Sequence, residues 1–263
     1  MPLFTVEQDV AVVRLAAGKA NAISTDLLDR LQRTLDEVEA SGAGAVVVTG
    51  YDHYFSAGLA LPLLIDLDRS GMKQFIDYFS RTMTRLFQCP LPVVAAVNGH
   101  AIAGGCVLAL QADVRIMADV DARIGLNEVQ LGIGLPSLVV ETLRCSVPER
   151  ALVPLALEGR LFTPREALEL GLVQEVVVAS ELETSAIARA RDLGRAPHAA
   201  FAQVKAALRR PALTTLLREQ AAETERWLDT WFSPEARTRL TEAVRRLSRK
   251  AHAGGPKAAP SNS

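Results

Sequence analysis

AVNGHAIAGGCVLAL, residues 96–110, runs out of a buried strand, through a turn and into a helix that opens on Gly104 and Gly105. A helix start ordinarily carries a side chain that caps the free backbone N–H groups. Two glycines leave those N–H groups bare at the positive end of the helix dipole, where a ligand oxygen reaches them without meeting a Cβ. Such a site stabilises a developing oxyanion. Close packing of the helix on the strand PVVAAV accounts for the same two residues, and this stretch alone does not choose between them.

The surrounding sequence repeats one pattern. Short, fully apolar strands, GAVVVTG (44–50), PVVAAV (92–97) and DVRIMA (113–118), alternate with helical segments at about 24–40, 61–87 and from Gly104 onward. That alternation specifies an α/β fold with largely parallel sheets. Ahead of it, Phe4–Val6 and Val10–Leu15 flank Gln8 and Asp9 as a hairpin, and Ser24 is placed to cap a helix whose Leu27, Leu28, Leu31, Leu35 and Val38 share a face. After about Leu135 the reading is mostly helical. Thr163-Pro164-Arg165-Glu166 has the form of a capping box, LVQEVVV (172–178) is a short strand, and the last helix begins at Ser233-Pro234. We expect a core over 1–195, a helical region over 196–250 and a flexible tail over 251–263.

Composition narrows the function classes. With 49% hydrophobic residues, 22% charged residues and a formal net charge of -1, the 263-residue chain has no field that would draw it to nucleic acid or a membrane. No apolar run approaches the roughly 20 residues of a membrane span, and the N-terminus lacks the layout of a secretory leader, so a cytoplasmic protein is expected. Cys89, Cys106 and Cys145 are far apart, form no C-x-x-C pair and have no histidine at ligand spacing; we read them as reduced core thiols and expect no metal site.

Two further stretches carry possible chemistry. In YFSAGLAL (54–61) a strand ends in a turn whose backbone N–H groups form a second candidate donor loop, although an ordinary strand-to-helix connection reads the same way. In RIGLNEVQLGIGLPS (123–137), Glu128 sits among Leu126, Val129, Leu131 and Ile133. Apolar surroundings raise a carboxyl pKa and suit it to carry protons near neutral pH, whereas a surface glutamate capping a short helix needs no such role.

Together these stretches resemble the crotonase superfamily, the enoyl-CoA hydratase/isomerase proteins. The likeness starts at Asn21-Ala22 in GKANAIS and runs through FSAGLAL, PVVAAVNGHAIAGGCVLALQADVRIMA and IGLNEVQLGI to RLFTPREALELGLVQEVV, in family order over about two thirds of the chain. It implies a spiral of ββα units with a C-terminal helical trimerisation region, often as two stacked trimers. The implied ligand is an acyl-CoA thioester, with coenzyme A part of the substrate and no separate cofactor. The resemblance places the two oxyanion donors at the N–H groups of Leu59 and Gly104 and the acid–base carboxyl at Glu128. It places substrate contacts at Lys19, Ala20, Ala57, Gly58, Leu61, Gly105, Val107 and Leu135. Hydratases of the family use two glutamates; the helix position here is Val107, leaving Glu128 alone. The wording AGGC and IGLNE.QLGI is closer to mitochondrial-type isomerases. Migration of a 3-enoyl double bond to the 2-position is therefore expected, ahead of hydration, hydrolysis or decarboxylation by one acid and ahead of silent CoA binding. Ala60 departs from the aspartate that many relatives carry in FSAGLDL.

The same resemblance suggests Leu61, Leu64, Met72 and Phe75 as acyl-tunnel wall, although core packing alone places them similarly, and Lys19 toward the CoA phosphates, although a loop lysine is as readily only solvated; Trp227 and Trp231, one turn apart, read as core or interface anchors. The basic last helix, with Arg237, Arg239, Arg245, Arg246, Arg249 and Lys250, reads as a solvated face. His53 and His100 read as local structure.

Overall fold

The computed structural model describes residues 4–253, with the side chain of Lys19 outside the described residues. The hairpin forms as its alternation requires. β1 (Phe4–Glu7) pairs antiparallel with β2 (Val10–Arg14), and Gln8 and Asp9 turn between them at positive φ. Helix α1 (Thr25–Ser41) starts where the Leu27 N–H donates to Ser24 Oγ and stops at Gly42, which adopts the left-handed conformation of a C-terminal glycine.

Three passes of one unit follow. β3 (Ala45–Thr49) and β4 (Tyr54–Ser56) lead to α2 (Leu61–Leu64) and α3 (Arg69–Gln88). β5 (Val93–Val97) and β6 (His100–Ile102) lead to α4 (Gly104–Leu110). β7 (Val114–Ala118) and β8 (Ile124–Gly125) lead, past the loop that carries Glu128, to α5 (Ser137–Ser146) and α6 (Glu149–Leu152). The chain closes with β9 (Leu161–Phe162), α7 (Pro164–Leu170), β10 (Glu175–Val177), α8 (Leu182–Gly194), α9 (His198–Trp231) and α10 (Pro234–Ala253). Thr163 and Glu166 form the expected capping box on α7.

The first strand of each pass enters a six-stranded sheet of order β1-β2-β3-β5-β7-β10, parallel from β2 onward. The second strand enters a smaller sheet, β4-β6-β8-β9, parallel except at the β8–β9 edge. This is the spiral of ββα units. The strands are apolar throughout because both faces of the large sheet are covered. Val46, Val48, Val93 and Ala95 face the main core with α1, α3 and α4, while Ala45, Val47, Val94 and Ala96 face Leu182, Ala186, Ile187 and Ala190 of α8.

The C-terminal helices are tied into this core by charge as well as by apolar contact. Asp113, at the start of β7, accepts from Lys205 at 2.6 Å and from Arg209 at 2.7 Å, and its Oδ2 also accepts the Val93 N–H. The Arg209 guanidinium lies 4.1 Å from the centre of the Phe87 ring. Trp227 and Trp231, one turn apart on α9, are buried and stacked at 5.4 Å, as anchors rather than surface residues.

One expectation needs correction. Cys145 is exposed, not a core thiol, because Leu138, Val139, Thr142 and Leu143 form the inward stripe of α5 and turn its last residues outward. α10 runs to Ala253, and residues 254–263 of the expected tail lie outside the described residues. No described helix is long and apolar enough to cross a membrane.

Candidate active site

The FSAGL turn is held by the segment before α1. Asn21, fully buried and at φ 47, accepts the Ala17 N–H at 2.9 Å and donates through Nδ2 to the carbonyls of Tyr54 and Phe55. Ser56 Oγ donates to the Asn21 carbonyl at 2.7 Å, and the Ala57 N–H donates to Ala20 O at 2.9 Å. Beyond the turn, Ile23 N–H donates to Gly58 O and Ala60 N–H to Ile23 O, so Leu59 bridges Ile23 as in a parallel pair. Its neighbours' groups face Ile23, and the Leu59 N–H points away without an acceptor among the described residues.

The start of α4 meets this turn directly. Gly58 has φ +88, and a Cβ built on it would lie 2.7 Å from Ile102 O and 3.1 Å from Gly104 N, so the two segments touch only because residue 58 has no side chain. The residue ahead of α4, Ala103, sits at φ 52 and ψ -122, a conformation that strains any residue with a Cβ by about 1–3 kcal/mol. It is held there by the Gly125 carbonyl, which accepts its N–H at 2.9 Å, and by Val107, whose N–H donates to its carbonyl. The Gly104 N–H, first in the helix, has no acceptor among the described residues either.

Glu128 lies at the start of a one-turn 3-10 segment, Val129–Leu131, and its carbonyl accepts the N–H groups of Leu131 and Ile133. The C-terminal helices clamp this loop. Trp227 Nε1 donates to Gly134 O at 3.0 Å, Gly134 N–H donates to Thr230 Oγ1 at 3.0 Å, and Arg239 Nη1 donates to Gln130 O at 2.9 Å. The Glu128 Oε2 atom is shut off from solvent and has no hydrogen-bond partner. Loss of hydration pushes the carboxyl up to about 7, against the pull of the nearby N–H groups of Glu128 itself and Asn127.

These elements enclose a cavity of about 280 Å³ lined by Ala57, Leu59, Leu61, Ile102, Ala103, Asn127, Glu128, Leu131, Ile133, Ala243, Arg246 and Leu247. Its polar side chains are Asn127, Glu128 and Arg246; the rest of the wall is apolar. Of the residues expected at the site, Ala57, Leu59, Leu61 and Glu128 line this cavity, while Gly58 and Gly104 meet at its edge. Ala20 contributes the carbonyl that fixes Ala57. Val107 is buried in the core, Leu135 packs against that core, and neither is among the cavity's lining residues. Leu64, Met72 and Phe75 are likewise core. The role expected of Lys19 falls on a side chain outside the described residues.

Gly105 answers the sequence question differently from Gly104. A Cβ on Gly105 would lie 2.1 Å from Ser56 O, so this glycine is there for close approach of α4 to β4. His100 is structural: its Nδ1 accepts the Arg123 N–H and its ring meets Tyr54 at 5.3 Å; His53 is exposed beside Asp52. Two contributions escaped the sequence reading. One is Asn21 as the bracket of the FSAGL turn. The other is α10, read as a solvated face, which puts Ala243, Arg246 and Leu247 on the cavity wall; their i, i+3, i+4 spacing was the available signal.

Comparison with known proteins identifies the family. The enoyl-CoA hydratase/isomerase family profile matches residues 5–246. The chain is 31% identical over 222 residues to human mitochondrial enoyl-CoA delta isomerase 1, covering 83% of this chain and 74% of that protein. It is 38% identical over 191 residues to a Thermus thermophilus protein that carries the name enoyl-CoA hydratase, covering 71% and 75%. In three dimensions it is similar to the crystal structure of human mitochondrial delta3-delta2-enoyl-CoA isomerase, with a TM-score of 0.89 and 29% identity over 94% of this chain and 99% of that one. An enoyl-CoA hydratase/isomerase from Xanthobacter autotrophicus gives a TM-score of 0.81 at 28% identity over 98% of each chain. Sequence and fold thus agree, and the chain belongs to the enoyl-CoA hydratase/isomerase family, within the crotonase superfamily.

Proposed function

We propose that this enzyme isomerises 3-enoyl-CoA to 2-enoyl-CoA. The observation that carries the reading is one carboxyl, Glu128, whose Oε2 is buried without a partner on a largely apolar cavity, beside the place where the Gly58 turn touches the start of α4 and where the N–H groups of Leu59 and Gly104 have no acceptor among the described residues. The thioester oxygen accepts from those two N–H groups. Ionised Glu128 takes a proton from the α carbon, and the C–H electrons pass into a dienolate whose oxygen the two donors stabilise. Neutral Glu128 then returns the proton to the γ carbon as the double bond settles between α and β. One shuttling group is enough for this reaction, and among the described residues no second carboxylate lines the cavity. The likeness to delta isomerases supports the choice. A trimer or a pair of stacked trimers is the assembly we propose, with the exposed Val204, Leu208 and Leu217 of α9 available for contact.

Hydration is the second reading, favoured by the name of the Thermus relative. Incubation with a 3-enoyl-CoA, followed by absorbance of the conjugated thioester and by mass spectrometry, separates the two. Isomerisation yields 2-enoyl-CoA of unchanged mass, and in deuterated water part of the γ position retains protium carried over from the α carbon. No conversion of the 3-enoyl substrate, with hydration of a separately supplied 2-enoyl-CoA to 3-hydroxyacyl-CoA, would overturn the proposal.

The rate follows the ionisation of Glu128. Only the carboxylate accepts the α proton, so kcat/KM is low in acid and rises with pH, with a midpoint near the value of about 7 to which burial pushes this group. Initial rates from pH 5 to 9 measure the limb; a midpoint at the ordinary glutamate value of about 4.3 would contradict the buried-base assignment.

A further inference from the structure

Beside Glu128, the Asn127 side chain has no assigned task. Its Oδ1 is shut off from solvent without a partner, as is Glu128 Oε2, and the two side chains open on the same cavity from consecutive residues. No hydrogen bond of the Asn127 carboxamide is found among the described residues, and Asn127 is fixed instead through its backbone, whose carbonyl accepts the Gln130 N–H at 3.2 Å. Buried polar groups are normally satisfied, so two unmet acceptors at one wall mark a place where a donor is exchanged during function.

The chemistry of Glu128 supplies that exchange. As a carboxylate it needs a donor; as a neutral acid it presents an O–H that needs an acceptor. A carboxamide offers both, N–H from Nδ2 and a lone pair from Oδ1, and a half-turn about its terminal torsion swaps them. An aspartate would offer only the acceptor, and a leucine neither. We infer that Asn127 is the positioning residue of the proton shuttle, donating to the Glu128 carboxylate and accepting from the neutral acid while the proton travels from the α to the γ carbon. The inference rests on the reading of Glu128 as the shuttle. The other charged or titratable groups facing this carboxyl are the Cys106 thiol on α4, which burial keeps neutral, and Arg246 on α10 across the cavity; Arg239 of α10 reaches the same loop at Gln130.

The test compares Asn127→Leu and Asn127→Ala with the wild type in kcat, KM, the pH profile and thermal melting. Loss of the donor to the charged form raises the pKa of Glu128. The expected result is a kcat lower by about tenfold, KM within about twofold, and an acid limb displaced upward by about one pH unit. Asn127→Leu also removes the unmet acceptor, so it melts no lower than the wild type. A purely structural asparagine gives an unmoved limb, and that result overturns the inference. Should either variant fold poorly, the infrared carboxyl band of Glu128, identified by its absence in Glu128→Gln, decides on the unaltered enzyme. A hydrogen-bonded frequency for the neutral acid supports the inference, and a free-carboxyl frequency overturns it. If Glu128→Gln keeps full activity, the shuttle reading itself has failed; if it is inactive while the Asn127 variants behave as wild type, only the role of Asn127 falls.

Discussion

Glu128→Gln lowers kcat for 3-enoyl-CoA isomerisation by about 10³-fold or more, leaves KM within a few-fold, and stabilises the protein at alkaline pH. The first effect is the loss of general acid–base transfer, worth about 10² to 10⁴ in rate for a positioned side chain. Here one group serves both half-reactions, so the loss falls at the upper part of that range. The second effect follows from linkage. Burial raises the folded-state pKa of Glu128 from the ordinary 4.5 to about 7, so between those values the folded state binds more protons than the unfolded state. Stability therefore falls as pH rises through that window, and the whole penalty is present above pH 7. Glutamine carries no such penalty. We expect Glu128→Gln to be more stable than the wild type by about 3 kcal/mol at pH 8 and indistinguishable from it at pH 4, as read by denaturant melts at the two pH values. A variant that loses activity and stability together at pH 8 would place Glu128 in a structural role. Activity and stability are opposed at this residue because the burial that tunes the base also makes its charged form costly.

How far this was readable in the chain depends on the range of the interactions involved. The apolar strands, the Ser24 cap, the Thr163 box and the glycine-led helix are local signals, and each formed within a residue or two of its expected place. Glu128 was legible because its apolar neighbours are adjacent in sequence. The Asn21 bracket was not, since its partners at Tyr54, Phe55 and Ser56 lie some 33 to 35 residues away. The α10 wall was hidden for a different reason: Arg246 is polar and exposed, and its place at the cavity depends on how α10 folds back over α2 and the Glu128 loop. Val107 shows the limit of motif transfer. The resemblance puts it at the position of a second glutamate, yet in this chain the residue is core and does not line the cavity.

The paired glycines at the start of α4 give the other large effect, and they separate. Gly105→Ala sets a methyl 2.1 Å from the Ser56 carbonyl oxygen and 2.8 Å from its carbon. Ser56 cannot yield, because it is fully buried in β4 and its Oγ is committed to the Asn21 carbonyl. The helix must instead lift from the strand, at a cost of about 3 kcal/mol, the upper part of the usual range for overpacking. For a domain of this size that lowers the melting temperature by roughly 6–12 °C. Activity falls with it, since β4 carries the Ala57-Gly58-Leu59 turn. At Gly104 the added methyl crowds the ends of two side chains, Ile23 Cδ1 and Leu59 Cδ2, each at 3.3 Å, and meets the Gly58 Cα at an ordinary contact distance of 3.5 Å. Those side chains can shift by a few tenths of an ångström, so Gly104→Ala melts within a few degrees of the wild type. Its methyl, however, presses on the Leu59 side chain and the Gly58 Cα, within the turn whose N–H is proposed to hold the thioester oxygen. We expect kcat/KM to fall by about 10²-fold, comparable with the removal of one oxyanion donor. Melting curves and steady-state rates on the two variants check the division: Gly105→Ala loses stability first, Gly104→Ala loses rate alone. The reverse pattern would mean that the bare N–H belongs to residue 105 and that residue 104 serves the packing of α4.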